Sequence, residues 1–95
     1  MQKLEMYALR DTKTETYNRP IFVQNEKVFL RSLMTELANA DSMLAQHPHD
    51  YQVFYLGTFD DQTAHIDFCP PEYQYNVADI KAVKDRANQE NQESD

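Results

Sequence analysis

Residues 47–61, HPHDYQVFYLGTFDD, crowd two histidines, three aspartates and four aromatic residues around the only glycine of a 95-residue chain. Two readings compete for the stretch: a metal or catalytic site, or a strand with its entry and exit. Alternation decides between them. Tyr51, Val53 and Tyr55 fall on one side of an extended chain and Phe54 and Leu56 on the other, so Tyr51 to Phe59 reads as a strand with apolar groups on both faces, the pattern of a central position in a sheet. Pro48 ends any helix before it, Gly57 marks a bulge or a close backbone approach, and Asp60-Asp61 opens a turn.

Working outward, "DDQT" at 60–63 turns the chain into a second strand, Ala64 to Phe68, which Pro70-Pro71 is expected to close. Upstream, Leu4, Met6 and Ala8 alternate with Glu5, Tyr7 and Leu9, a strand with one wholly apolar face and one mixed face. After the polar turn "DTKTET" at 11–16, Tyr17 to Val23 supplies its hairpin partner, placed at an edge or broken at Pro20, which has no N–H for the ladder. Between the hairpins, Asn25 is a good N-cap. Val28, Phe29, Leu30, Leu33, Met34 and Leu37 then predict a helix from about Glu26 to Asn39, with Lys27, Arg31 and Thr35 facing away from the core. Asp41 to Gln46 adds a further turn before Pro48. Near the end, Asn76 with Asp79 approximates a capping box, and Val77, Ile80, Val83 and Ala87 mark a short amphipathic helix with a thin core face.

The fold class expected is therefore α+β: two antiparallel hairpins forming a small sheet packed on one main helix, with a short C-terminal helix. A single domain is expected over residues 1–87. The residues "NQENQESD", 88–95, hold no apolar side chain and predict a disordered polar tail. At this length the core is small, and a homodimer or higher homo-oligomer is the expected supplement.

The formal net charge of −7 is unevenly placed. Residues 1–40 carry six Lys and Arg against five Asp and Glu, whereas the remainder carries three against eleven. An acidic chain has no global attraction for phosphate, so contact with nucleic acid requires a local basic patch. No run is long and apolar enough to span a bilayer, and the N-terminal sequence lacks the apolar stretch of a secretory signal, so no membrane partner is expected. A single cysteine forms no internal disulfide, and Cys69 reads as a small buried hydrophobe.

The residue types for chemistry are present without the spacing. His47, His49, His65, Asp50, Asp67 and Cys69 are all zinc-ligand types, yet no C-x-x-C or H-E-x-x-H pattern arranges them, and Pro48 separates the first two histidines. A zinc-stabilised fold using His47, His49, His65 or Cys69 is the minor reading. Adjacent Asp60 and Asp61 point apart in a strand and favour turns on their own account. One glycine cannot build a phosphate-binding loop, and no nucleophile with its base is legible. The expectation is a protein without enzymatic activity, cofactor or metal.

What remains is a cluster of cations, Arg10, Lys13, Arg19, Lys27 and Arg31, within the basic part of the chain, beside tyrosines that offer stacking surfaces, Tyr7 and Tyr55 among them. The ordinary role of a strand tyrosine is cross-strand or core packing, and Lys27 with Arg31 at i, i+4 is ordinarily a solvated helix face.

Several motifs carry a family resemblance: Tyr7, Arg10-Asp11, Tyr17, Pro20-Ile21-Phe22, Asn25, Arg31, then Pro48, Asp50-Tyr51, Leu56-Gly57 and Phe59-Asp60. Over about residues 4–71 the chain resembles the small nonstructural protein of gokushoviruses, single-stranded-DNA microviruses of bacteria. The run D-Y-x-x-x-x-L-G-x-F-D is the most specific part, and a glycine often stands in that family where this chain has Ala64. The resemblance implies a DNA-binding protein of the infected bacterial cytoplasm that helps switch genome replication to single-strand synthesis and packaging. Together with the charge asymmetry it gives the leading expectation: modest binding of single-stranded DNA through Arg10, Lys13, Arg19, Lys27 and Arg31, with Tyr7 or Tyr55 stacking. The alternative is an acidic protein-interaction module that engages viral replication or procapsid proteins, or a host factor, without touching DNA.

Overall fold

In the computed structural model, which describes residues 3–93 and side chains as far as residue 87, the chain begins with strand β1 (Lys3–Asp11). Asp11 ends it by turning on itself. Its Oδ1 accepts the backbone N–H of Lys13 at 2.9 Å and of Thr14 at 3.3 Å, while its carbonyl accepts that of Glu15 at 2.8 Å. Glu15 takes a left-handed backbone, φ 59°, and the chain returns as β2 (Thr16–Tyr17).

The expected hairpin partner is indeed broken at Pro20. β2 and β3 (Ile21–Val23) both pair antiparallel with β1, and Asn18 fills part of the gap. Its Oδ1 accepts the N–H of Leu9 at 2.8 Å and its own N–H donates to the Leu9 carbonyl at 2.9 Å, so β1 keeps its hydrogen bonds where no strand lies beside it.

Helix α1 (Glu26–Leu37) starts where expected, with Asn25 Oδ1 accepting the Val28 N–H at 3.0 Å. It stops two residues short of Asn39. Phe29, Leu33 and Leu37, at i, i+4 and i+8, are its buried row, while Lys27, Arg31 and Thr35 are exposed as predicted. One turn of helix, α2 (Met43–Gln46), capped by Ser42, and a 3-10 turn at Pro48–Asp50 lead into β4 (Tyr51–Asp60). β4 is central, between β1 and β5 (Ile66–Asn76), giving the antiparallel order β2-β1-β4-β5 with β3 also on β1.

The turn between β4 and β5 repeats the first one. Asp60 Oδ1 accepts from Gln62 at 2.9 Å and Thr63 at 3.4 Å, its carbonyl accepts from Ala64 at 2.8 Å, and Ala64 has φ 63°. Asp60 thus serves a turn.

Pro70-Pro71 does not close the hairpin. β5 runs through both prolines to Asn76 because the register shifts there: Tyr55 pairs Glu72 and Gly57 pairs Phe68, leaving Cys69, Pro70 and Pro71 opposite Leu56 alone. Prolines are tolerated at an edge-strand bulge, where a missing N–H interrupts no regular ladder. Gly57 meets both sequence expectations. Leu56 is a bulge against β1 as well, and a Cβ on Gly57 would stand 2.2 Å from the Asp67 carbonyl oxygen and 2.8 Å from Phe68 Cα.

Helix α3 (Val77–Glu93) is longer than predicted, its backbone continuing past Ala87 through most of the segment expected to be a disordered tail; residues 94–95 of that segment lie outside the described residues. Its packed face is shorter than its length: Val77 is fully buried and Ile80 lies against the core, but Val83 is 51% exposed.

The core lies between the sheet and the helices, built from Tyr7, Leu9, Val23 and Val53 of the strands, Phe29, Leu33 and Leu37 of α1, and Val77 of α3. The helices therefore cover the mixed face of β1, not its wholly apolar one. Tyr7 explains how a mixed face serves as core: its ring stacks on Phe29 at 4.5 Å and its hydroxyl donates to Glu5 at 3.1 Å, so apolar body and polar tip are both satisfied.

Candidate nucleic-acid interface

The face of the sheet turned away from the helices is set by the register. Leu4, Met6, Ala8 and Arg10 of β1 stand there, opposite Phe59, Gly57, Phe54 and Gln52 of β4, with Phe22 beside Met6 and Tyr17 beside Arg10. On β5 the row continues through Ile66, Phe68, Tyr73 and Asn76. Among the described residues no helix covers this face. A solvated face of an antiparallel sheet is ordinarily polar; this one is aromatic.

Its rings are ordered by contact. Tyr17 meets Phe54 edge-on with centroids 5.4 Å apart, Phe54 meets Tyr73 at 5.9 Å, and Phe22 meets Phe59 at 5.4 Å. Met6 and Ala8 are buried beneath them, which leaves the rings as the outer layer. Tyr17 and Phe22 remain 46% exposed, Tyr73 51% and Phe68 80%.

Charge is sorted between the two faces. None of the paired positions on the open face is Asp or Glu, although the chain has sixteen such residues. Glu5, Asp11, Asp67 and Glu72 occupy strand positions of the opposite parity, toward the helix side. The acidic environment there is felt by its tyrosines: Tyr51 and Tyr55 are raised above the ordinary phenol range by burial first and by neighbouring carboxylates second. Tyr75 is pushed up to about 12, by burial and then by Glu26, and Tyr7 is raised further, by burial and by its bond to Glu5. These phenols stay protonated and neutral at physiological pH.

The cations expected to act together are divided between the two layers. Arg10, half-buried, belongs to the open face; Lys13 in the β1–β2 turn and Arg19 in the β2–β3 connection are exposed at the same end of the sheet. Lys27 and Arg31 project from the outer side of α1, across the molecule. Tyr7, 3% exposed and stacked on Phe29, is enclosed in the core and offers no free ring face, and Tyr55 packs edge-on against it at 5.4 Å. The rings on the open face are instead those of Tyr17, Phe54 and Tyr73, with Phe22, Phe59 and Phe68. The parity of Leu4, Met6 and Ala8 was the signal for them, since every strand residue paired with that row shares its face; Tyr73 was hidden because Pro70-Pro71 read as the end of the strand.

Among the described residues, no three His, Cys, Asp or Glu side chains come together as a metal-binding group, and His47, His49, His65 and Cys69 do not converge. Nor is any helix among them long and apolar enough to cross a membrane.

No curated protein and no solved structure matches this chain. Its sequence does match the Phage ORF5 protein family over residues 4–89, beyond the limit near Pro71 that the motifs alone set and far enough to include most of α3. The chain belongs to the Phage ORF5 protein family, a family of bacteriophage proteins.

Proposed function

We propose that this phage protein binds single-stranded DNA across the open face of its sheet, Tyr17, Phe54 and Tyr73 receiving bases and Arg10, Lys13 and Arg19 receiving phosphates. The observation that carries the reading is the sorting of charge: a chain of net charge −7 keeps Asp and Glu from the paired positions of a face that carries exposed aromatic rings and an arginine. Stacking on such rings contributes about 1–3 kcal/mol per base and tolerates any sequence, whereas three cations give only modest electrostatic affinity. In a phage of the gokushovirus type, a binder of this strength suits an accessory that assists the switch from genome replication to single-strand synthesis and packaging in the host cytoplasm, with no catalytic step of its own.

Fluorescence anisotropy with labelled oligo-dT at low salt tests it. Tyr17→Ala or Tyr73→Ala is expected to weaken binding about tenfold, and Arg10→Glu to weaken it further. Absence of binding by the wild-type chain at low salt removes the proposal.

The other end of the same face favours a second contact. Phe22, Ile66 and Phe68 are 46%, 50% and 80% exposed, and the paired positions beside them on this face, Leu4, Met6, Gly57 and Phe59, carry no charge. Both sheet edges are interrupted by proline, at Pro20 and Pro70-Pro71, so addition of a strand is discouraged while this end of the face stays open. It suits a second copy of the chain, or a viral replication or procapsid protein. Sedimentation distinguishes the two: a concentration-dependent dimer abolished by Phe68→Ser indicates self-association, and a monomer at all concentrations removes it.

A further inference from the structure

The helix side carries a surface that the nucleic-acid reading leaves unused. Leu30 and Met34 of α1 and its C-cap Ala38 form one row at intervals of four, and Lys27 and Arg31 lie in the row beside it. Lys84 of α3 faces them across an open groove of about 550 Å³. The floor is apolar and, among the described residues, no carboxylate lines it. Among the described residues the ion pair formed is Lys81 with Asp85, which leaves Lys27, Arg31 and Lys84 without acidic partners. Three cations of like sign line one groove with no acidic partner among the described residues, and in an acidic protein such a site is complementary to a negative ligand.

We propose that this groove binds an acidic amphipathic helix of a partner protein, with its apolar residues on Leu30, Met34 and Ala38 and its carboxylates on Lys27, Arg31 and Lys84. The floor extends over about 12 Å, two helical turns, which is the span of apolar anchors at i, i+4 and i+7 of a docked helix. Charge complementarity fixes the sign of the partner. The floor separates it from a phosphate backbone, because Leu, Met and Ala offer neither rings for bases nor donors for sugar oxygens. The inference does not depend on DNA binding by the opposite face, and its test reads a different surface.

The test uses the full-length chain and a fluorescein-labelled 15-residue helical peptide with leucine at i, i+4 and i+7 flanked by glutamates. Controls replace its leucines by serine or its glutamates by lysine, and oligo-dT is the competitor. The acidic peptide is expected to bind, to weaken at least about tenfold with Lys27→Glu/Arg31→Glu and with Met34→Glu, and to be indifferent to Tyr17→Ala. The lysine peptide should in turn bind the Lys27→Glu/Arg31→Glu chain, a gain that loss of folding cannot produce. No binding at millimolar peptide, or equal binding of the serine control, overturns the proposal. So does displacement by oligo-dT that vanishes with the same charge reversals, which makes the groove a phosphate site. A dimer that those reversals dissociate assigns it to a second copy and likewise overturns it.

Discussion

Gly57 and Phe68 face each other across β4 and β5 so closely that any side chain at 57 would enter the neighbouring backbone: the Cβ would lie 2.8 Å from Phe68 Cα and 2.2 Å from the Asp67 carbonyl oxygen. The backbone at Gly57 also has φ 135°, where other residues are strained. Gly57→Ala is therefore expected to destabilise the fold by about 3 kcal/mol or more, from strain and displacement of β5 together. Urea denaturation measures it; a loss under about 1 kcal/mol contradicts the close approach.

Ala64 and Glu15 occupy the same position of two turns built alike, each the left-handed residue whose N–H donates to the carbonyl of the turn-opening aspartate. A left-handed backbone costs an L-residue about 1–2 kcal/mol, and glycine's greater freedom in the unfolded chain offsets part of that. Ala64→Gly should stabilise the protein by about 0.5–1 kcal/mol, seen as a rise in thermal midpoint, and it restores the residue often found there in the family the sequence resembles. Asp60→Ala should act oppositely, by about 1 kcal/mol or more, since Asp60 Oδ1 accepts two turn amides.

The Tyr75 hydroxyl is buried without a hydrogen-bond partner among the described residues. Tyr75→Phe removes an unsatisfied group while keeping the ring, so stability should hold or rise by up to about 1 kcal/mol. The same burial governs pH. Folding keeps the phenol protonated up to about 12 against 10.0 ordinarily, so its contribution to stability is complete below pH 10 and falls between pH 10 and 12 as the unfolded chain gains by ionising. Absorbance titration of tyrosine should show this delayed ionisation, and Tyr75→Phe should flatten the alkaline fall in stability.

Much of this architecture is legible in the sequence. The central strand, the N-cap at Asn25, the buried and exposed rows of α1 and the double meaning of Gly57 all follow from local rules of spacing and backbone chemistry. What escaped was non-local. Pro70-Pro71 ends a strand by local rules, but a three-residue bulge opposite Leu56 absorbs both prolines, and only the pairing partner reveals it. The alternation in β1 separates two faces but does not say which one the helices cover; the Tyr7 ring on Phe29 decides that, enclosing Tyr7 and leaving Tyr17, Phe54 and Tyr73 as the rings on the open face, where stacking is proposed. Lys27 and Arg31 lie on the far layer because they face outward on α1, as their spacing predicted.

If Arg10, Lys13 and Arg19 are the phosphate contacts, the logarithm of the association constant for oligo-dT should fall with the logarithm of salt concentration at a slope of about −2. Lys27→Glu and Arg31→Glu should leave that slope unchanged. A slope near −4 that those two substitutions reduce places phosphate on α1 and contradicts the division of the two layers.

The most direct measurement is a titration of the isotope-labelled chain with oligo-dT followed by NMR. The predicted perturbations fall on Arg10, Tyr17, Phe54 and Tyr73, on the open face of the sheet, and spare Lys27, Arg31 and Met34 on α1. Perturbations gathered on α1 with the sheet face silent, or no perturbation at saturating oligonucleotide, would contradict the account.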